Sequence, residues 1–374
     1  MDSIKLLSVS AARLSGPLTG VARYIGEILR CWALQAPVGI DRIVVYSPRP
    51  IAEASGIARP WIEVDDRRSR LPPIAWENAV LPIQMRRADA FLASSFTMPV
   101  FASTPPSVLL VYDALQALRP GDFSATARYL RGPFMRASIR RANILVTISE
   151  AAKADIVNGF GVDPERLHIV PGGVGSHFRP SDTLDRVQLG LKLGLGDKPY
   201  ILFVGKLSTR RNIPEIIAAA GILRKRGYPH TLLLVGYNTM NLPILGLAQA
   251  AGADVVHIEG VSDSLLVDLY NGADLFVQAP IHETYSLPLI EAMACGTPAV
   301  TSDAPGLREI GGTAPYYLEE TTPQAIAGAV QELLGDASRR SGARQAGLDR
   351  AVSFRWQQRA TRLAELCVLA TQVS

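Results

Sequence analysis

The chain has 374 residues, 48% of them hydrophobic and 19% charged, with a formal net charge of +4. That length exceeds one ordinary core and predicts two domains of roughly 150 to 200 residues each, and the composition excludes a disordered, collagenous or repeat-built protein. The cysteines, Cys31, Cys295 and Cys367, are odd in number, far apart and set in apolar helical patterns, which excludes a disulfide framework and predicts buried free thiols.

Met1 to Val9 lacks the basic and long apolar regions of a signal peptide and enters a strand at once, from Ile4 to Val9. The expected location is therefore the cytoplasm. Gly20 to Leu34 follows as a helix, with Val21, Tyr24, Ile25, Ile28 and Leu29 at helical spacing. The loop before it, Ser15 to Gly20, has glycines that serve either a turn or a close approach to a ligand. Apolar runs then recur at Ile43 to Tyr46, Ala90 to Ala93, Val108 to Val111 and Ile144 to Ile148, interleaved with helical stretches at Ile74 to Arg87, Phe123 to Arg141 and Glu150 to Gly159. Such alternation predicts a parallel sheet covered by helices on both faces. The uncharged run from Ala90 to Tyr112 has the length of a membrane span. Its prolines and hydroxyl residues make it strand, loop, strand instead. Asp113, just past a strand end, is either a ligand contact or a turn cap.

Residues 1–180 hold 21 Lys and Arg against 15 Asp and Glu, whereas 181–374 hold 17 against 19. The basic excess concentrates between Arg119 and Arg141, where Arg128, Arg131, Arg136, Arg140 and Arg141 recur. This is either a solvated basic helix or a contact with an acidic membrane surface or a phosphate-bearing acceptor. No recognition motif or stacking-aromatic array accompanies the charge, so nucleic acid is not expected.

The Gly- and Pro-rich stretch from Pro164 to Pro180 marks an interdomain linker. A second alternating series begins with a strand at Tyr200 to Val204 and runs through a helix at Ala325 to Leu334. The predicted architecture is α/β, with two consecutive doubly wound, Rossmann-like domains at 1–178 and 179–355 and a cleft between them. A closing helix at 356–374 carries Leu363, Leu366, Cys367 and Ala370 on one face.

Two stretches of the second series carry chemistry. Gly205-Lys206-Leu207-Ser208-Thr209-Arg210-Arg211-Asn212 leaves a strand and leads into a helix, which puts cations at the mouth of a sheet. His282 to Pro298 places Glu283 in a loop, opens a helix at Ser286 to Pro288, carries Glu291 in its first turns and closes at Gly296. Unpaired amides at a helix start attract phosphate. Carboxylates repel it, so the glutamates suit the hydroxyls of the same ligand. A metal is the rival means of holding a diphosphate, but no Asp-x-Asp occurs; Lys206, Arg211 and helix amides are expected in its place.

These residues resemble the retaining GT-B glycosyltransferases of the family numbered four. The likeness is carried by Val204-Gly205 with Arg210-Arg211-Asn212, Gly260 to Asp263, Leu269-Tyr270, Ala273-Asp274, Glu283 through Pro298 and Leu307 to Ile310, and more loosely by Gly20 to Tyr24, Ser149-Glu150 and Pro171 to Phe178. The resemblance implies the GT-B arrangement, with the two domains facing across the cleft and the C-terminal helix returning to the first. It implies that Glu283 bonds the donor sugar, Glu291 the ribose, and Lys206 and Arg211 the diphosphate. The amides of Ser286 and Leu287 assist, Gly205 contributes, and Gly20 approaches from the first domain. No cofactor or metal is implied, only a nucleotide diphosphate sugar, GDP-mannose favoured by the Arg-Arg-Asn element and UDP-glucose the other donor. The acceptor is a saccharide or lipid-linked glycan, with peripheral contact at the cytoplasmic face of the inner membrane through the basic first domain. Thr284-Tyr285-Ser286 stands where the family commonly has Gly-Phe-Gly, Tyr112 where many members have histidine, and Gly175 where aspartate is common. Asp113, Tyr112, Thr284 and Tyr285 are thus the candidate sugar or acceptor contacts. Two rival readings are a sugar-nucleotide isomerase on the same scaffold and a non-catalytic nucleotide-sugar-binding subunit.

Overall fold

The structure, a computed structural model, describes residues 3–16, 19–52, 54–122 and 131–373. Two compact units emerge: the described residues up to Gly173 together with those from Arg355 on, and Val174–Phe354.

In the first unit, β1 (Leu7–Ser10), β2 (Ile43–Tyr46), β3 (Ile62–Asp65), β4 (Ala90–Ala93), β5 (Ser107–Leu110), β6 (Ile144–Thr147) and β7 (Leu167–Ile169) form a sheet in the order β3-β2-β1-β4-β5-β6-β7. All neighbours pair in parallel. The central strands are buried along their length, as strands covered on both faces must be, which is why they read as continuous apolar runs. The Ala90 to Tyr112 run is indeed strand, loop, strand. The helix Gly20–Leu34 starts at Thr19, whose Oγ1 accepts from the Ala22 amide at 3.3 Å. Against it packs the terminal helix Trp356–Ala370, which buries Leu363, Leu366, Cys367 and Ala370. Trp32 Nε1 donates to Ala360 O at 3.0 Å.

In the second unit, β8 (Tyr200–Val204), β9 (Thr231–Val235), β10 (Val255–Ile258), β11 (Leu275–Gln278), β12 (Ala299–Ser302) and β13 (Tyr316–Leu318) are ordered β10-β9-β8-β11-β12-β13, again parallel throughout. Both sheets have doubly wound order, the chain adding strands outward to one edge and then, after one reversal of order, to the other. The chain enters the second unit at Val174, whose amide donates to Phe354 O at 2.8 Å, and Phe178 packs edge-on to Tyr270.

Several elements depart from expectation. The helix expected over Ile74 to Arg87 is two pieces, Pro73–Ala79 and Leu81–Gln84, because Pro82 has no amide hydrogen to continue the ladder. Of the Phe123 to Arg141 stretch, Gly132–Arg141 is helical; Phe123, Arg128 and their neighbours lie outside the described residues, as do Met1, Asp2, Pro17 and Leu18. Helices Arg186–Leu193 and Ala337–Ala351 and strands β3 and β13 have no counterpart among the expected elements. The helix Ala337–Ala351 escapes a search for apolar periodicity since the residues it buries are Gly347 and Ala351. Cys31, Cys295 and Cys367 are buried free thiols.

Candidate active site

Strand order reverses between β8 and β11, which are neighbours in the second sheet. Loops leaving the carboxyl ends of such a pair run to opposite faces and open a crevice between them. The loop after β8 begins at Gly205, whose φ is +145° and whose added Cβ would lie 2.1 Å from Arg211 Nη1. Glycine is needed there because the guanidinium occupies the space of a side chain. Thr209–Arg211 form a short 3-10 turn, and Asn212 follows in the left-handed region at φ +53°, which asparagine tolerates better than most residues. Its buried Nδ2 donates to Ala279 O at 2.7 Å, tying this loop to the end of β11. Arg210 Nη1 donates to His282 O, and the Ile281 amide donates to Arg210 O at 2.9 Å. The two stretches singled out in the sequence are therefore one structure.

Glu283 is buried, with Oε2 3.5 Å from Arg211 Nη2 and 3.9 Å from Arg210 Nη1. That oxygen has no hydrogen-bond partner among the described residues. Desolvation lowers the Arg211 pKa from its ordinary value, an effect that Glu283 opposes and Arg210 reinforces. Below the loop lies Gly306, whose amide donates to Glu283 O at 3.2 Å and whose added Cβ would stand 2.3 Å from Thr284 O. The helix Leu287–Ala294 is capped by Ser286, whose Oγ accepts from the Leu289 amide at 3.2 Å and donates to Gln278 Oε1 at 2.8 Å. Glu283 thus precedes the helix, and its first-turn amides have no acceptor within it. Glu291 lies on the helix, 3% exposed, and accepts from the Tyr270 hydroxyl at 2.9 Å.

The remaining predicted residues divide. Lys206 is exposed beside Gly205, Thr284 is buried and Tyr285 half-buried. Asp113 Oδ1 accepts from the Leu115 amide at 3.0 Å, the geometry of a turn cap. Tyr112 is 5% exposed, donates to Ser94 O at 2.9 Å and meets Tyr24 edge-on at 5.5 Å. Its phenol belongs to the packing of the first unit, and burial pushes its pKa far up. Gly20 is exposed at the start of its helix, and an added Cβ would meet nothing within 4 Å. In the basic stretch, Arg141 donates to Val100 O and Ala102 O, and Arg136 lies over the Phe160 ring. A Cβ at Gly175, where aspartate is common in the family, would stand 2.3 Å from the His177 ring, so that side chain, 43% exposed, would have to move. Tyr270, Gln278 and Gly306 hold these elements together, and no local sequence pattern marks their contacts. Only their spatial partners reveal them, although the strand-end position of Gln278 is a legible signal. Among the described residues, no group of three or more His, Cys, Asp or Glu could hold a metal, and no helix is long and apolar enough to cross a membrane.

A doubly wound α/β unit with cations, a buried carboxylate and a helix start at its switch point has the chemistry that suits a ligand with both anionic and hydroxyl groups. Residues 18–177 match the model of Glycosyltransferase Family 4, and residues 191–350 that of Glycosyl transferases group 1. The chain belongs to this family of glycosyltransferases and has the expected GT-B fold. It is similar to O-antigen chain mannosyltransferase B of Escherichia coli, 27% identical over 226 residues that cover 59% of each chain. D-inositol 3-phosphate glycosyltransferase of Xylanimonas cellulosilytica is 31% identical over 284 residues, 68% of this chain and 63% of that one. These matches thus span less than two thirds of the relatives' length. Anabaena Alr3699/HepE, solved in complex with UDP-glucose, superposes with a TM-score of 0.79 at 18% identity, over 98% of this chain and all of that one, a likeness of fold.

Proposed function

We propose that the chain is a retaining glycosyltransferase that moves a hexose, mannose or a related deoxyhexose, from a nucleotide diphosphate sugar to a saccharide or lipid-linked acceptor in glycan biosynthesis. The observation that carries this reading is Glu283 Oε2, buried beside Arg210 and Arg211 with no hydrogen-bond partner among the described residues. A buried charged acceptor without a donor costs a few kcal/mol, and a sugar hydroxyl would supply the missing donor. Arg211 and Lys206 would take the diphosphate, with the amides of Ser286 and Leu287, and no metal is required. Glu291, oriented by Tyr270, would take the ribose hydroxyls.

In the transfer, an acceptor oxygen bonds to the anomeric carbon as its bond to the diphosphate breaks. The acceptor proton passes to the departing phosphate. The residues of this chain bind and orient the donor, and desolvated Arg211 compensates the charge that grows on the leaving group. GDP-mannose is the favoured donor, supported by the Arg-Arg-Asn element and by likeness to a mannosyltransferase; UDP-glucose is the alternative. Work at the cytoplasmic face of a membrane, with the basic stretch of the first unit against it, is the setting we propose.

Incubation with a panel of sugar nucleotides and glycan acceptors should release nucleoside diphosphate from one donor. Arg211→Gln and Glu283→Gln should each lower kcat/KM by about a hundredfold or more. Full activity in both variants would remove the assignment. So would an epimerised donor formed without acceptor, the outcome expected of an isomerase.

A further inference from the structure

A second cluster of cations lies at the opposite end of the same sheet. Asp274 and Pro298 directly precede β11 and β12, so the depression of about 390 Å³ that they help to line opens at the amino ends of the strands. The Glu283 crevice is at the carboxyl ends. Three arginines converge on the depression: Arg186, and Arg340 with Arg344 from the helix Ala337–Ala351.

Each is fixed through one nitrogen. Arg186 Nη2 donates to Gly272 O and meets Asp274 Oδ1 at 3.1 Å. Arg340 Nη1 donates to Leu333 O and Leu334 O, at the end of the helix Pro323–Gly335. Arg344 Nη1 donates to Gly296 O at 2.8 Å. Capping of carbonyls accounts for those contacts, but not for the remaining donors. Nε and Nη2 of Arg340 and Arg344 make no hydrogen bond among the described residues. The sole carboxylate in the wall among the described residues, Asp274, is shared by Arg186 and His230, whose Nε2 is 3.2 Å from Asp274 Oδ2. Arg340 and Arg344 also stand four residues apart on one helix, a like-charge spacing that disfavours the helix by a few tenths of a kcal/mol. A bound anion would relieve that repulsion, and rigid guanidinium forks match the geometry of phosphate oxygens. The Ser341 hydroxyl on the rim adds a neutral donor.

We infer that this depression binds a phosphate group, as inorganic phosphate, a phosphomonoester or a phospholipid headgroup, held by Arg186, Arg340 and Arg344. The inference does not rest on the donor reading. Its test uses the full chain carrying Arg211→Gln, which weakens any phosphate binding in the β8–β11 crevice. Calorimetric titration of that protein with inorganic phosphate at low ionic strength should show one saturable site that weakens as sodium chloride is added. Arg340→Gln with Arg344→Gln should weaken it at least tenfold. Because those changes also remove carbonyl caps, Ser341→Glu is the second variant: it keeps all three arginines and adds a carboxylate at an exposed position, with the same tenfold loss expected. Absence of a saturable site in the Arg211→Gln protein, or equal affinity in the Ser341→Glu protein, would overturn the inference. Co-sedimentation with phosphatidylcholine vesicles containing phosphatidic acid, abolished by Ser341→Glu, would assign the headgroup as the source. Phosphate binding without co-sedimentation would assign the soluble ligand.

Discussion

Glu77 stands in the helix Pro73–Ala79 with Oε2 accepting from Thr97 Oγ1 at 3.0 Å and Oε1 buried with no hydrogen-bond partner among the described residues. Desolvation pushes its pKa up to about 7, against the opposing hydrogen bond from Thr97 and the charge of Arg13. The folded state therefore binds the proton more tightly than the unfolded state, and stability falls as pH rises from about 4.5 to about 7. The full penalty is roughly 3 kcal/mol. Glu77→Gln is expected to raise the melting temperature at pH 8 and to leave it nearly unchanged at pH 4; equal melting at pH 8 would contradict this. In the proposed donor site, Tyr270 would position Glu291 through its 2.9 Å bond. Its replacement by Phe removes a hydrogen bond to a charged group, about 1.5–3 kcal/mol. The expected result is a KM for the donor raised about tenfold or more with kcat little changed, a split that steady-state kinetics would show. Glu283, Glu291, Arg211 and Ser286 were legible in the sequence because each stands at a fixed offset from a strand end or helix start. Tyr270 was not legible, since its hydrogen bond to a residue 21 positions away leaves no local pattern.

At the scale of elements, the site consists of two loops and one helix start, held in register by backbone contacts that no side-chain motif announces. Gly306 is the clearest case. A methyl group there would stand 2.3 Å from Thr284 O and 2.6 Å from Glu283 O, so the loop must shift. Gly306→Ala is expected to lower donor turnover by at least tenfold while costing about 1–3 kcal/mol of stability, measurable together by kinetics and thermal unfolding. Central strands and amphipathic helices were readable because burial on both faces imposes continuous apolar runs, and burial on one face imposes helical periodicity. Edge strand β3 and the polar helix Ala337–Ala351 escaped for the converse reason. They bury little, and their conformation is set by the neighbours they lie against.

For the whole molecule, the terminal helix is the element whose sequence position says least about its place. It follows the second unit in the chain yet completes the first, burying Trp356, Leu363, Leu366 and Cys367 and accepting a hydrogen bond from Trp32. Burial of large apolar side chains contributes about 2 kcal/mol apiece, a total comparable with the net stability of a domain, about 5–15 kcal/mol. A chain ending at Phe354 is therefore expected to expose the first unit to limited proteolysis, with new cleavages between residues 20 and 173 and few between 174 and 354. Equal protection of both units would show that the helix is dispensable. The sequence by itself determined the two doubly wound series, the cation-bearing loop and the helix with its two glutamates, because periodicity, caps and strand-end offsets are local properties of the chain. Tertiary structure alone decided that Arg210, Arg211 and Asn212 close against Ala279 to Glu283, that Tyr112 is packed away, and that three arginines meet at the far end of the sheet. Those depend on which strands become neighbours, and strand order is set by burial over the whole domain.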